Sequence, residues 1–303
     1  GVMTMYLYPM WNRGWKQFVM CLLSFLAIIV TYLGFSLGNE VSFIADLDKL
    51  FYLFIGSILP VAGYPFIFLF EKIFMLVSNN RLQELCDTNN NKLMVELAQK
   101  APGTFQHSLQ VMNMSDAVAT AIGANALLAK TGALYHDIGK LNNPLCFVEN
   151  SAMGTNYHSD LTPKESSKEI VKHVTDGLEI AEKYSIPQTV RDFILTHHGT
   201  SSASYFLNKY LNDGGDPEQV SDFYYKGRKP WTKEQTIVML CDTIEAASRT
   251  LKDNKPETYD AFVEKIVSSK IADGQLSEAD ITLKELGQIK EYLKNYLARM
   301  YHD

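Results

Sequence analysis

The chain has only four cysteines, Cys21, Cys86, Cys146 and Cys241, and no two of them form a C-x-x-C pair. That spacing excludes a zinc knuckle and a redox dithiol. Four separated thiols read as free cysteines in a reducing compartment. No glycine-rich Walker-type loop is present, so nothing signals NTP-driven transfer. Strand-like alternation bounded by Asn-Gly or Asp-Gly turns is missing, as are internal repeats and low-complexity tracts. There is no basic excess either: 28 Lys and Arg stand against 34 Asp and Glu, for a formal net charge of -6. Residues 1–78 hold four of each sign, so the whole deficit belongs to 79–303. That acidity argues against duplex nucleic acid as a partner, because neutralising phosphates needs a Lys and Arg surplus. It leaves open a small anionic ligand held through metals. With 47% hydrophobic residues in 303, the chain has apolar content enough for a packed core.

Charge is absent from two long stretches. Residues 17–39 contain no charged side chain over 23 positions, and residues 50–70 none over 21. About 20 apolar residues at roughly 1.5 Å each match the hydrocarbon thickness of a bilayer, so both read as transmembrane helices. A buried hairpin in a soluble core is the alternative. Pro60 and Pro65 predict a kink in the second span, and Trp11 and Trp15 precede the first as interfacial anchors would. Arg13 and Lys16 flank one end of the pair, and Lys72 and Arg81 the other. The connecting loop carries Glu40, Asp46 and Asp48 with one Lys49. The positive-inside bias therefore predicts both ends, and all that follows, in the cytoplasm of a multi-pass membrane protein. The first residue is Gly1, and an N-terminal portion of a longer membrane protein is expected to precede it.

Three parts follow: a membrane region 1–78, a connector 79–100 with a helical pattern broken at Asn89-Asn90-Asn91, and a domain 101–303. Helical periodicity runs through the last part, over 104–121, 125–138, 163–184, 187–198, 202–212, 232–252, 256–270 and 283–301. Pro163 and Pro187 fit helix starts, and Thr162 and Thr232 fit as caps. The predicted fold class is all-α.

Histidine is scarce as well, with seven residues: His107, His136, His158, His173, His197, His198 and His302. Most of them stand in telling places. His136-Asp137 follows the apolar run Ala133-Leu134-Tyr135. His197-His198 precedes Gly199, a fitting left-handed cap. Neighbouring side chains in a regular helix diverge by about 100°, but a fraying last turn lets both imidazoles approach one centre. Asp242 lies within Ile237-Val238-Met239-Leu240-Cys241, and a buried carboxylate must be paired or bind metal. His107 and His173 are placed mid-helix, where a lone histidine is usually structural.

The ordered series His107, His136-Asp137, His173, His197-His198, Asp242 resembles the HD-domain phosphohydrolases, named for the His-Asp pair. The resemblance is closest to a bacterial membrane-anchored branch with a 7TM receptor-like region, which includes cyclic di-AMP phosphodiesterases of the PgpH type. It is carried by 101–109 (APGTFQHSL), 135–140 (YHDIGK), 147–150 (FVEN), 173–177 (HVTDG), 196–199 (THHG) and 242–249 (DTIEAASR). It covers roughly residues 65–300. The chain departs from that branch in lacking the longer membrane region and extracellular sensor, and in having Tyr157 in Asn156-Tyr157-His158 where proline is usual. Gly63-Tyr64-Pro65 spells the motif of cyclic di-GMP relatives, but it lies upstream of the His-Asp pair, inside a predicted span.

The resemblance implies a helical HD bundle after the two spans. It also implies metal-dependent hydrolysis of a cyclic dinucleotide, most of all cyclic di-AMP to linear pApA. One octahedral metal on His107, His136, Asp137 and Asp242 would leave His173, His197 and His198 idle. Two metals use all seven, with Asp137 bridging, and the family's ligand assignment agrees. Imidazoles and carboxylates without thiolate suit Fe or Mn ahead of Zn. Two such ions about 3.5–4 Å apart share a hydroxide and polarise the phosphoryl group. Lys140 is the expected phosphate contact and catalytic cation, and His158 a leaving-group acid or substrate contact. A homodimer is compatible with this organisation. Two other functions stay open: a mononuclear nucleotidohydrolase acting on (p)ppGpp or a dNTP, and a silent membrane receptor that only binds nucleotide.

Overall fold

A computed structural model describes residues 14–38, 47–74, 76–151, 157–251, 253 and 255–300. Trp11, Arg13, Glu40, Asp46 and Asn156 lie outside the described residues, as do His302 and the side chains of Cys21, Trp15, Lys16, Lys49, Lys72, Pro60 and Pro65. The chain divides into two compact units, Gly1–Glu84 and Leu85–Asp303.

In the first unit, α1 (Gly14–Gly38) and α2 (Leu47–Phe74) pack against each other. Phe25 and Phe54 meet edge to face at 5.5 Å. Many large apolar side chains stay exposed, among them Leu22, Val30, Phe35, Tyr52 and Leu59. Among the described residues, no helix is long and apolar enough to cross a membrane. The two expected spans therefore appear as helices, and the structure does not show them to cross a bilayer. The helix α3 (Asn79–Leu85) spans the boundary between the units.

The second unit is all-helical; its described residues contain one isolated bridge, Ser202 to Tyr224, and no strand. Asn91 caps α4 (Lys92–Lys100) by accepting from the amides of Leu93 and Met94. Pro102 then opens α5 (Pro102–Ile122), which packs on α6 (Ala126–Tyr135). Next come α7 (Pro163–Val171), α8 (His173–Lys183), α9 (Gln188–Thr196), α10 (Ser204–Asn212), α11 (Lys233–Ser248), α12 (Pro256–Ala272) and α13 (Leu283–Met300). Thr162 and Thr232 cap their helices as the sequence predicts, and each does so in a reciprocal capping box, with Glu165 and Gln235.

The core is built where α5, α6, α11, α12 and α13 meet. Val111, Met114, Val118, Ala133, Ile237, Val238, Leu240 and Ile244 are all fully buried there. On α13 the buried stripe Leu286, Ile289, Leu293 and Leu297 repeats at helical spacing. This packing leaves α11 buried on nearly every side and fixes Asp242 against α5.

Two predicted helices differ in ways that matter. The 125–138 segment stops at Tyr135 and continues as a 3-10 turn, Ile138–Asn142. The Ala133 carbonyl is taken by the His136 ring at 2.6 Å, which ends the regular helix at the His-Asp pair. The 163–184 segment breaks at Lys172 into α7 and α8, and His173 stands at the break.

Candidate metal centre

Six of the seven expected ligands fall into two groups. His107, His136 and Asp242 form one; His173, His197 and His198 form the other; in each the donor atoms lie within 4.8 Å of one another. Asp137 stands between them. Its Oδ2 faces His136 Nε2 at 3.2 Å and His107 Nε2 at 3.7 Å. Its Oδ1 faces His173 Nε2 at 3.4 Å and His197 Nε2 at 3.6 Å. The two oxygens of one carboxylate are thus divided between two donor groups.

Helix ends aim three of the rings. The Nδ1–H groups of His136, His173 and His197 donate to the carbonyls of Ala133, Ile170 and Ile194 at 2.6, 2.7 and 2.9 Å. Each acceptor lies three residues back, in a last helical turn whose carbonyls lack helical partners. A carbonyl only accepts, so Nδ1 carries a proton and each Nε2 points inward, where it can bind a cation once it carries no proton itself. His197 caps α9 and is fully buried, and Gly199 takes the left-handed conformation (φ 57°) that turns the chain away. The rings of His197 and His198 come to 4.1 Å of each other, which brings the adjacent pair to one centre as expected. His198 alone is partly open, at 24% side-chain exposure, and it stacks on Tyr225.

The protein atoms of this arrangement do not satisfy one another. His173 Nε2 and His197 Nε2 face each other at 3.1 Å, lone pair to lone pair. His136 Nε2 and Asp137 Oδ1 are buried without a hydrogen bond of normal geometry. Buried polar atoms of this kind require a partner, and a divalent cation in each group would supply one. The residues fit the metals that the sequence implies.

The electrostatics of the two groups differ. Burial disfavours a charged His136, but Asp137 and Asp242 outweigh it and push its pKa up to about 10. In the other group burial prevails and lowers His173 to about 3. Burial works against ionised Asp137 too, yet Lys140 and His136 hold its carboxyl well below the usual range.

Lys140, the expected phosphate contact, meets two carboxylates. Its ammonium is 11% exposed and bonded to Asp137 Oδ2 at 2.7 Å and Glu149 Oε1 at 2.8 Å, over the Phe147 ring. His158 belongs to neither donor group; its Nε2 donates to the Cys146 carbonyl at 2.9 Å and its ring packs on Phe206. Two acids escaped the sequence reading as site residues. Glu245 accepts from His107 Nδ1 and binds Arg249 at 2.7 Å. It lies three residues after Asp242 on a helix, a spacing that places both on one face. Glu149 sits in a short 3-10 turn (Val148–Asn150), where no periodicity announces it.

Residues 104–247 match the HD domain family model, a stretch that contains all seven expected ligands. Cyclic-di-AMP phosphodiesterase PgpH of Listeria monocytogenes is 39% identical over 263 residues, which are 86% of this chain and 36% of that protein. The crystal structure of the PgpH HD domain from L. monocytogenes superposes with a TM-score of 0.66 at 39% identity, covering 70% of this chain and 100% of that domain. The chain belongs to the PgpH family of HD-domain proteins. A second structure of the Listeria domain, in complex with cyclic-di-AMP, superposes equally well, at 38% identity, over 70% of this chain and 99% of that domain. The chain spans about a third of the length of the curated PgpH relative it matches.

Proposed function

We propose that the second unit is a two-metal phosphodiesterase that opens cyclic di-AMP to linear pApA. The observation that carries this reading is the division of the Asp137 oxygens between two histidine-rich groups. His107, His136, Asp242 and Asp137 Oδ2 would hold one ion; His173, His197, His198 and Asp137 Oδ1 the other. Fe or Mn suits these donors best, since no thiolate is among them. Two such ions supply Lewis-acid polarisation of the phosphoryl group and acidify water, so no protein nucleophile is needed. The chain's own residues hold that centre in place. Lys140 fixes the orientation of Asp137, and Glu149 fixes Lys140. The ring of Tyr225 covers His198 at 4.1 Å. The Listeria domain solved with cyclic-di-AMP supports that substrate here.

The catalytic domain is assigned to 101–303, joined by a connector 79–100 to a membrane region 1–78. The uncharged runs 17–39 and 50–70, and the apolar side chains exposed along α1 and α2, support insertion in a bilayer. The charge bias of the flanks supports a cytoplasmic catalytic domain.

The test uses the full chain in detergent, purified anaerobically, with metal content and products measured together. Two metals per chain and pApA released faster from cyclic di-AMP than the corresponding product from cyclic di-GMP support the reading. One metal per chain with turnover of nucleotide polyphosphates would replace it by a mononuclear nucleotidohydrolase. Binding of cyclic di-AMP with no linear product would replace it by a receptor.

A further inference from the structure

Three rings of the centre lean on carbonyls at helix ends; His107 does not. It sits within α5, where helical hydrogen bonds already engage the backbone carbonyls. Its Nδ1 turns instead to Glu245 Oε2. Glu245 is 1% exposed and meets His107 at the nitrogen that faces away from Asp242. Its second oxygen accepts from Arg249 Nη2 at 2.7 Å and Nε at 3.3 Å. Arg249 lies one turn further along the chain and is 45% exposed, so a surface guanidinium reaches in to hold a buried carboxylate. The relay Arg249–Glu245–His107 ends at His107 Nε2, 3.0 Å from Asp242 Oδ1.

A carboxylate behind a ligating imidazole fixes its tautomer and raises its basicity more than a neutral carbonyl does. The two donor groups are therefore unequal. One has Asp242, its share of Asp137 and the anionic support of Glu245. The other has three imidazoles, two of them backed by carbonyls, and its share of Asp137.

We propose that Glu245, clamped by Arg249, is a positioning residue that commits His107 to bind metal through Nε2 and makes the His107–His136–Asp242 group the tighter of two unequal metal sites. The inference rests on the two-metal reading. It implies ordered loading, with the first ion entering beside Glu245 and the second, exchangeable ion held by His173, His197 and His198.

The experiment titrates metal-free full chain with Mn²⁺ and follows free Mn²⁺ by electron paramagnetic resonance, a readout independent of turnover. Wild type should show a tight and a weaker site. Glu245→Gln should weaken the tight site by about 10–100-fold, as loss of such a support does elsewhere, and leave the weaker one unchanged. Arg249→Ala, a change at a half-exposed side chain that should not disturb folding, should weaken the same site by less, and Arg249→Lys should recover part of the loss. His198→Ala should weaken only the second site. Equal weakening of both sites in Glu245→Gln, or an unchanged tight site in both Glu245→Gln and Arg249→Ala, would overturn the proposal. A wild-type chain that takes up a single Mn²⁺ would refute the two-metal reading instead; the role of Glu245 would then stand or fall on whether its substitution weakens that one site.

Discussion

Lys140→Met removes the one ammonium that joins two buried carboxylates. Lys140 contacts Asp137 at 2.7 Å and Glu149 at 2.8 Å, with side chains 11%, 2% and 13% exposed. Exposed ion pairs are worth at most about 1 kcal/mol. Breaking a buried pair by deleting one partner costs about 3–5 kcal/mol, because a charge is left without compensation. At about 2–4 °C per kcal/mol for a domain of this size, the metal-free variant should melt roughly 6–20 °C below wild type at pH 7. The pH dependence sharpens the expectation. In wild type, burial raises the Glu149 pKa but Lys140 outweighs it, so the net shift is downward. A depressed folded-state pKa contributes stability above the ordinary carboxylate range that is lost as pH falls. Without Lys140 only burial remains prominent, and the folded-state pKa rises above the unfolded one. The penalty is then absent at low pH and grows as pH rises through the carboxylate range. The gap between variant and wild type should narrow between pH 7 and pH 4, and Lys140→Met/Glu149→Gln should be less destabilised than the single changes summed. Thermal unfolding in chelator across that range is the assay. A pH-independent loss below about 1 kcal/mol, the size of an exposed pair, would refute the buried-network account.

Asp137→Asn should lower the affinity of both metals, since its oxygens face both groups, whereas Asp242→Asn should chiefly release one; elemental analysis of matched samples decides, and two retained metals with full activity in Asp137→Asn would exclude a bridging role. Gly139→Ala should destabilise by at least about 1–3 kcal/mol and weaken Mn²⁺ uptake at the second group, because a Cβ there meets the His173 carbonyl and the Gly177 amide, both backbone; an unchanged melting temperature would contradict that close approach. A reporter fused after Asp303 should be active only in a cytoplasmic format, and activity in a periplasmic format would reverse the proposed topology.

What the sequence made legible follows physical lines. The caps at Thr162 and Thr232 are local chemistry, and both were readable from the sequence beside them. The seven-residue ligand series was readable because imidazole and buried carboxylate are rare and their order is distinctive. The carboxylate partners of Lys140 were not legible, because spacing does not reveal a tertiary contact. Glu149 comes from a 3-10 turn nine residues downstream and holds the ammonium at 2.8 Å. The ends of α6 and α7 were misplaced for a related reason, since periodicity does not register a side chain that takes a helix's own carbonyl.

That last error points to the rule by which the centre is built. His136 caps α6, His197 caps α9, and His173 follows the break after α7. At each place the helix runs out of amide donors, and an imidazole Nδ1–H takes up a spare carbonyl. The same bond that ends the helix fixes the tautomer and turns Nε2 toward the centre. One local device, used three times, therefore both terminates elements and presets ligands. It is unavailable within a helix, which is why the ring of His107 needs Glu245 from α11. If the rule holds, moving the spare carbonyl should matter as much as moving the ring. Lengthening α9 by one regular turn, with alanines inserted after Thr196, should abolish metal binding by the second group even though His197 and His198 are retained.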